Sequence, residues 1–125
     1  MKLHTNEAPG LNQITSYGPD WIEVNRERHA SALLLLPSGP PMPWNAADVA
    51  SLDAASFEAL LAHEPELVLL GTGQRQQFVH PRTVEALTRR LIAVDAMTTP
   101  AACRTFNILV AEGRRPLAAL LIGSD

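Results

Sequence analysis

The chain has 125 residues, a length that favours one domain and lets a core form without disulfide or metal staples. Hydrophobic residues make up 46% and charged residues 18%, with a formal net charge of -3. That balance describes a globular protein and argues against nucleic acid as a partner, because phosphate binding needs clustered Lys and Arg and the only lysine is Lys2.

Met1 to Leu11 is polar and bears Pro and Gly, so it is expected to be a loose arm, with residues 12–125 forming a single α/β domain. Asn12 to Tyr17 and Trp21 to Val24 alternate apolar and polar residues around the turn signal Gly18-Pro19-Asp20, which predicts an antiparallel hairpin. Ala30 to Leu36 is an apolar run broken only by Ser31, and it ends at Pro37. A strand covered on both faces has no solvent side to keep polar, so this run reads as a buried strand. Residues 37–43 hold four prolines and a glycine, and Pro lacks the N–H that a helix or a central strand needs.

Leu52 to His63 has helical spacing, with Leu52, Phe57, Leu60 and Leu61 on one stripe, and stops before Pro65. Leu67 to Leu70 reads as a second buried strand, ended by Gly71-Thr72-Gly73. Arg82 to Leu91 is a predicted helix, Ile92 to Met97 a short strand, Thr99 to Glu112 a helix stopped by Gly113, and Leu117 to Ile122 a last strand. Alternation of this kind implies parallel strands with helical crossovers. With the hairpin added, the fold class expected is α/β: three layers around a central, mixed and partly parallel sheet.

No apolar run reaches membrane-spanning length, the N-terminus lacks the apolar stretch of a secretory signal, and Cys103 has no partner for an internal disulfide. A reducing cytoplasmic setting is the expectation. No cofactor is expected either: there is no Walker signature and no G-x-G-x-x-G. The histidines His4, His29, His63 and His80 are scattered without ligand spacing, so no metal is expected.

Three stretches carry a family resemblance: Glu66 to Gly73 (ELVLLGTG), Met97 to Asn107 (MTTPAACRTFN) followed by Glu112-Gly113-Arg114, and Pro43-Trp44 after the Leu-rich strand. Together the chain, from about Ile14 to Ile122, resembles the small bacterial and archaeal proteins related to mitochondrial NADH dehydrogenase (complex I) assembly factor 3 and to the adipogenesis-associated Mth-domain protein. The resemblance implies a three-layer α/β fold with a central mixed sheet and no established catalytic residues. It also implies protein partners, by analogy a component of a respiratory complex. A homo-oligomer is left open.

One cleft can be drawn on the sequence. Gly71, Thr72 and Gly73 follow one strand, and Thr98 and Thr99 follow the next. If the strands are parallel, both loops lie at one end of the sheet, where α/β folds bind ligands. Thr99 is the expected N-cap and Pro100 the first helical position. Free N–H groups near Ala101 and Ala102, with Arg104, could then hold an anion. The plainer reading, that Thr99 caps a helix and the glycines turn the chain, is preferred. Cys103 reads as inert packing, and Asn107, one turn further on, as an amide that fixes a neighbouring loop. Glu112 and Arg114 read as helix-end residues. Trp44 serves equally as a partner anchor or as a lid over the core. The missing nucleophile–base pair and the missing metal set favour a protein-binding or assembly module over an enzyme or small-anion binder.

Overall fold

Local alternation builds the first sheet. The computed structural model describes residues 10–123, so most of the expected arm lies outside the described residues. β1 (Ile14–Gly18) and β2 (Trp21–Val24) pair antiparallel, with Tyr17 opposite Ile22 and Gly18 opposite Trp21. The Trp21 indole lies where a Cβ at Gly18 would go, so any larger residue there must displace the ring. The register shifts between Ile14 and Ser16, and the displaced Thr15 donates its hydroxyl to the Glu23 carboxylate at 2.8 Å. Asn25 and Arg26 then turn the chain at φ 49 and 69, the two left-handed residues that match a hairpin's twist. The turn leads into β3 (Glu27–His29), which pairs with β2. The hairpin therefore belongs to a three-stranded sheet of its own and does not join the central sheet, contrary to expectation.

The apolar run after it narrows to β4 (Leu33–Leu35), buried throughout. Within the proline-rich stretch, β5 (Met42–Pro43) pairs antiparallel with β4 at the sheet edge, a place where a proline forfeits no ladder bond. β6 (Leu67–Gly71), β7 (Ala93–Met97) and β8 (Pro116–Leu120) complete a five-stranded sheet in the order β5-β4-β8-β6-β7. β6 runs parallel to both neighbours, and β4 runs antiparallel to β8. The four strands expected in one sheet are in one sheet, and the sheet is mixed.

Period-two geometry deals its side chains to two separate cores. Leu67 and Leu69 join Ile14, Ile22, Leu35, Phe106 and Leu120 under the three-stranded sheet and α3 (Thr99–Ala111). Val68 and Leu70 join Phe57, Leu60, Leu87 and Leu117 beneath α1 (Ala54–Glu58) and α2 (Glu85–Thr88). Sheet and coverings make three layers.

Two expected helices are shorter than their stripes. Leu52 to His63 resolves into α1 followed by a 3₁₀ turn over Ala59–His63, with another 3₁₀ turn at Val49–Ser51 just before it. The passage to 3₁₀ at Ala59 has no side-chain cap, whereas the two starts before it do: the Asp48 and Asp53 side chains each accept from the backbone N–H three residues on, at Ser51 and Ser56. Those bonds favour the ionised Asp53 carboxyl and hold it below its ordinary range. Arg82 to Leu91 becomes a 3₁₀ turn at Pro81–Val84 plus α2, with His80 Nδ1 accepting from the Arg82 N–H at 3.1 Å. Among the described residues no helix is long and apolar enough to cross a membrane.

Candidate functional site

β6 and β7 are parallel neighbours, so the loops that follow them emerge at the same end of the sheet, and β8 ends there too. The three strand ends are laced together. Thr72 N–H donates to Met97 O at 2.8 Å, Thr99 N–H to Gly73 O at 2.8 Å, and Leu121 N–H to Gly71 O at 2.9 Å. At the centre lies the buried Thr99 hydroxyl, which donates to Leu121 O at 2.7 Å and accepts from Gly73 N–H at 2.8 Å. One side chain thus ties the end of β6 to the end of β8 from the first turn of α3.

This use of Thr99 corrects the expected cap. Thr98, not Thr99, is the N-cap: its backbone is extended and its hydroxyl accepts from Ala101 N–H at 3.3 Å. Thr99 is the first helical residue and Pro100 the second. Ala102 N–H is bonded to Thr98 O at 2.9 Å. The early amides of α3 are therefore met by the protein itself.

Gly71 has a steric reason. A Cβ there would lie 2.8 Å from Thr99 Oγ1 and 3.1 Å from Thr99 Cα, so only glycine lets α3 start this close to β6. Gly73 sits at φ 102, in the region that favours glycine. Thr72 is buried, and its hydroxyl bonds the Arg75 and Met97 carbonyls at 2.8 and 3.1 Å and accepts from Gln77 N–H at 3.2 Å. The sequence drew no attention to Gln77, whose amide also donates to Thr72 O at 3.0 Å.

The other α3 residues leave this joint in three directions. Cys103 faces the core and is fully buried. Burial pushes its thiol up to about 12, against a smaller opposing pull from the Arg104 charge. Arg104 is exposed and donates to Tyr17 Oη at 2.7 Å. Asn107 reaches β1: its Oδ1 accepts from Ile14 N–H and its Nδ2 donates to Ile14 O, both at 2.9 Å. The amide acts as a one-residue strand partner across 93 residues of chain, fixing a strand where a loop was expected.

Asn12, buried and also passed over by the sequence reading, plays a similar part, donating to Leu36 O at 2.8 Å and Gly39 O at 2.7 Å. A lone Asn between Leu11 and Gln13 gives no signal of it. Arg114, beyond the helix end, forms a two-toothed contact to Glu66 Oε2, at 3.0 Å from Nε and 2.8 Å from Nη2. That contact first, and the Arg115 N–H second, hold the Glu66 carboxyl below its ordinary range. Trp44 is half-buried and meets Phe57 edge-on, ring centroids 6.4 Å apart. Among the described residues no three His, Cys, Asp or Glu side chains gather where they could hold a metal.

Residues 14–121 match a family described as protein of unknown function (DUF498/DUF598). The chain belongs to that family. It is 36% identical over 123 residues to NADH dehydrogenase [ubiquinone] 1 alpha subcomplex assembly factor 3 of Bos taurus, a match over 97% of this chain and 66% of the bovine one. The chain thus spans slightly under two thirds of that relative's length. The crystal structure of a Bordetella parapertussis protein superposes with a TM-score of 0.87 at 41% identity, covering 93% of this chain and 99% of that one. The solution structure of a Bordetella pertussis protein described as a Mth938-like domain does so with a TM-score of 0.79 at 37% identity, covering 100% of this chain and 94% of that one.

Proposed function

We propose that this chain is a protein-binding module of the assembly-factor kind, with no bond-making chemistry of its own. The observation that carries the reading is the lacing at the strand ends. The groups a catalyst or an anion site would need free, namely the Thr72 and Thr99 hydroxyls and the first amides of α3, are turned on one another. A Cys103 thiol pushed to about 12 is protonated at neutral pH and is a poor nucleophile. What remains for function is surface, with Trp44 beside the proline-rich loop as one contact point. The name of the bovine relative points to a respiratory-complex subunit as the partner class. The test is affinity isolation of the tagged chain from native lysate. A stoichiometric polypeptide is expected; a stoichiometric small molecule in its place would overturn the reading. The alternative, an anion held by Gly71, Thr72, Gly73, Thr98, Thr99 and Arg104, requires millimolar phosphate to perturb those amides.

A further inference from the structure

The crossover from β6 to β7 differs in character from the rest of the chain. Between residues 74 and 92 it holds Arg75, Arg82, Arg89 and Arg90 against the single acid Glu85, within a chain of net charge -3. Arg89 is paired with Glu85 at 2.7 Å. Arg82 and Arg90 are exposed and have no ion pair among the described residues. The same crossover carries two large apolar side chains in water: Phe78 is 80% exposed and Leu91 93% exposed, the latter at φ 61, a backbone state that a leucine adopts only under constraint. Beside Phe78 lies a hollow of about 420 Å³, floored by Val79, Val84, Val94 and Ala96.

Val94 and Ala96 belong to β7, the outer strand of the sheet. Met97 O faces β6, where it accepts from Thr72 N–H. By the alternation of a parallel ladder, Val94 and Ala96 turn their peptide groups outward. Gln76 Nε2 covers Ala96 O at 3.1 Å; among the described residues nothing covers the Val94 groups. Asp95 points to the opposite face of the sheet.

We propose that this hollow and the adjoining edge of β7 dock an acidic polypeptide segment that inserts a large apolar side chain beside Phe78 and sets its acidic groups against the exposed arginines of the same crossover, Arg82 and Arg90. This deepens the protein-binding reading above and rests on it. Charge selects the occupant. In a two-fold pair of this chain the same patch meets itself, setting arginine against arginine. An anionic bilayer satisfies the arginines but offers nothing to a concave hollow or to the open peptide groups of Val94. An acidic segment meets all three features.

The test titrates the ¹⁵N-labelled full chain with an acetylated decapeptide whose central leucine–phenylalanine pair is flanked by glutamates. Saturable shifts confined to residues 76–79, 82–84 and 90–96 are expected. Phe78→Ser and the double variant Arg82→Glu/Arg90→Glu should each weaken binding by about tenfold or more while leaving the melting temperature close to the parent's, since all three side chains are exposed. No saturable shift, shifts centred elsewhere, equal affinity for a lysine-flanked peptide, dimerisation through β7, or binding of phosphatidylglycerol vesicles in place of the peptide would each overturn the proposal. If the double variant still captures a native protein partner, the docking site is wrong and the protein-binding reading survives. If the parent chain captures none, that reading fails instead.

Discussion

At the scale of single residues, the chemistry-bearing positions act as fasteners. Thr99 is the clearest. Thr99→Val keeps the shape and strands Gly73 N–H and Leu121 O without a partner, at about 1–3 kcal/mol for each buried group left unmet. The melting temperature should fall by several degrees, and Thr99→Ser should restore most of it; equal melting of the valine and parent proteins would refute the fastener role. Gly71→Ala drives a Cβ against Thr99, and a loss of about 1–3 kcal/mol follows from such overpacking. Cys103 tests burial through pH. Its folded value of about 12 stands above the ordinary 9.0, so the unfolded chain loses its proton first. The thiol's contribution is fully present below pH 9 and is lost as pH rises towards 12, a decline of up to roughly 4 kcal/mol. Chemical denaturation of the parent and of Cys103→Ala from pH 8 to 11 should show the steeper fall in the parent. Native protein should also react with a thiol reagent at pH 8 far more slowly than a free small thiol does.

Secondary-structure elements show where pattern reading succeeds and where it stops. The central strands were legible because β6 and β8 are buried on both faces and need apolar residues without interruption. Leu52 to His63 was legible as helical but not in its winding, since an apolar stripe does not distinguish the α turns of Ala54–Glu58 from the 3₁₀ turns of Ala59–His63. The attachment of α3 to the first sheet was not legible. Asn107 could be recognised as a half-buried amide; its partner Ile14 lies 93 residues away and is chosen by packing. Asn107→Ala leaves both Ile14 backbone groups without their partner, so β1 should lose hydrogen-exchange protection by roughly one to two orders of magnitude. The amides of β6 and β8 should keep theirs. Uniform loss across all strands would show instead that Asn107 supports the whole fold and not one attachment.

Over the whole molecule, one sheet supports two cores. Leu69 and Leu70, adjacent in sequence, sit in different clusters, so neither core can loosen without disturbing the strand between them. Far-UV circular dichroism and the fluorescence of Trp21 and Trp44, one on each side, should report a single coincident unfolding transition; separated midpoints would mean that the three-stranded sheet melts alone. The candidate site was half legible at this scale. That the Gly71–Gly73 and Thr98–Thr99 loops share one end of the sheet follows from parallel alternation. That their polar groups satisfy each other does not.

Sequence alone determined the α/β class, the buried strands, the long helix after Met97 and the glycine turn after Leu70, because apolar periodicity, proline and glycine act on neighbours within a few residues. Tertiary structure decided that the hairpin forms its own sheet, that Thr99 ties the end of β6 to the end of β8 and that Asn107 completes β1. It also decided that the basic crossover leaves Phe78 and Leu91 in water. Each of these depends on partners distant along the chain, whose approach is set by how the layers pack and which buried polar groups must find a bond.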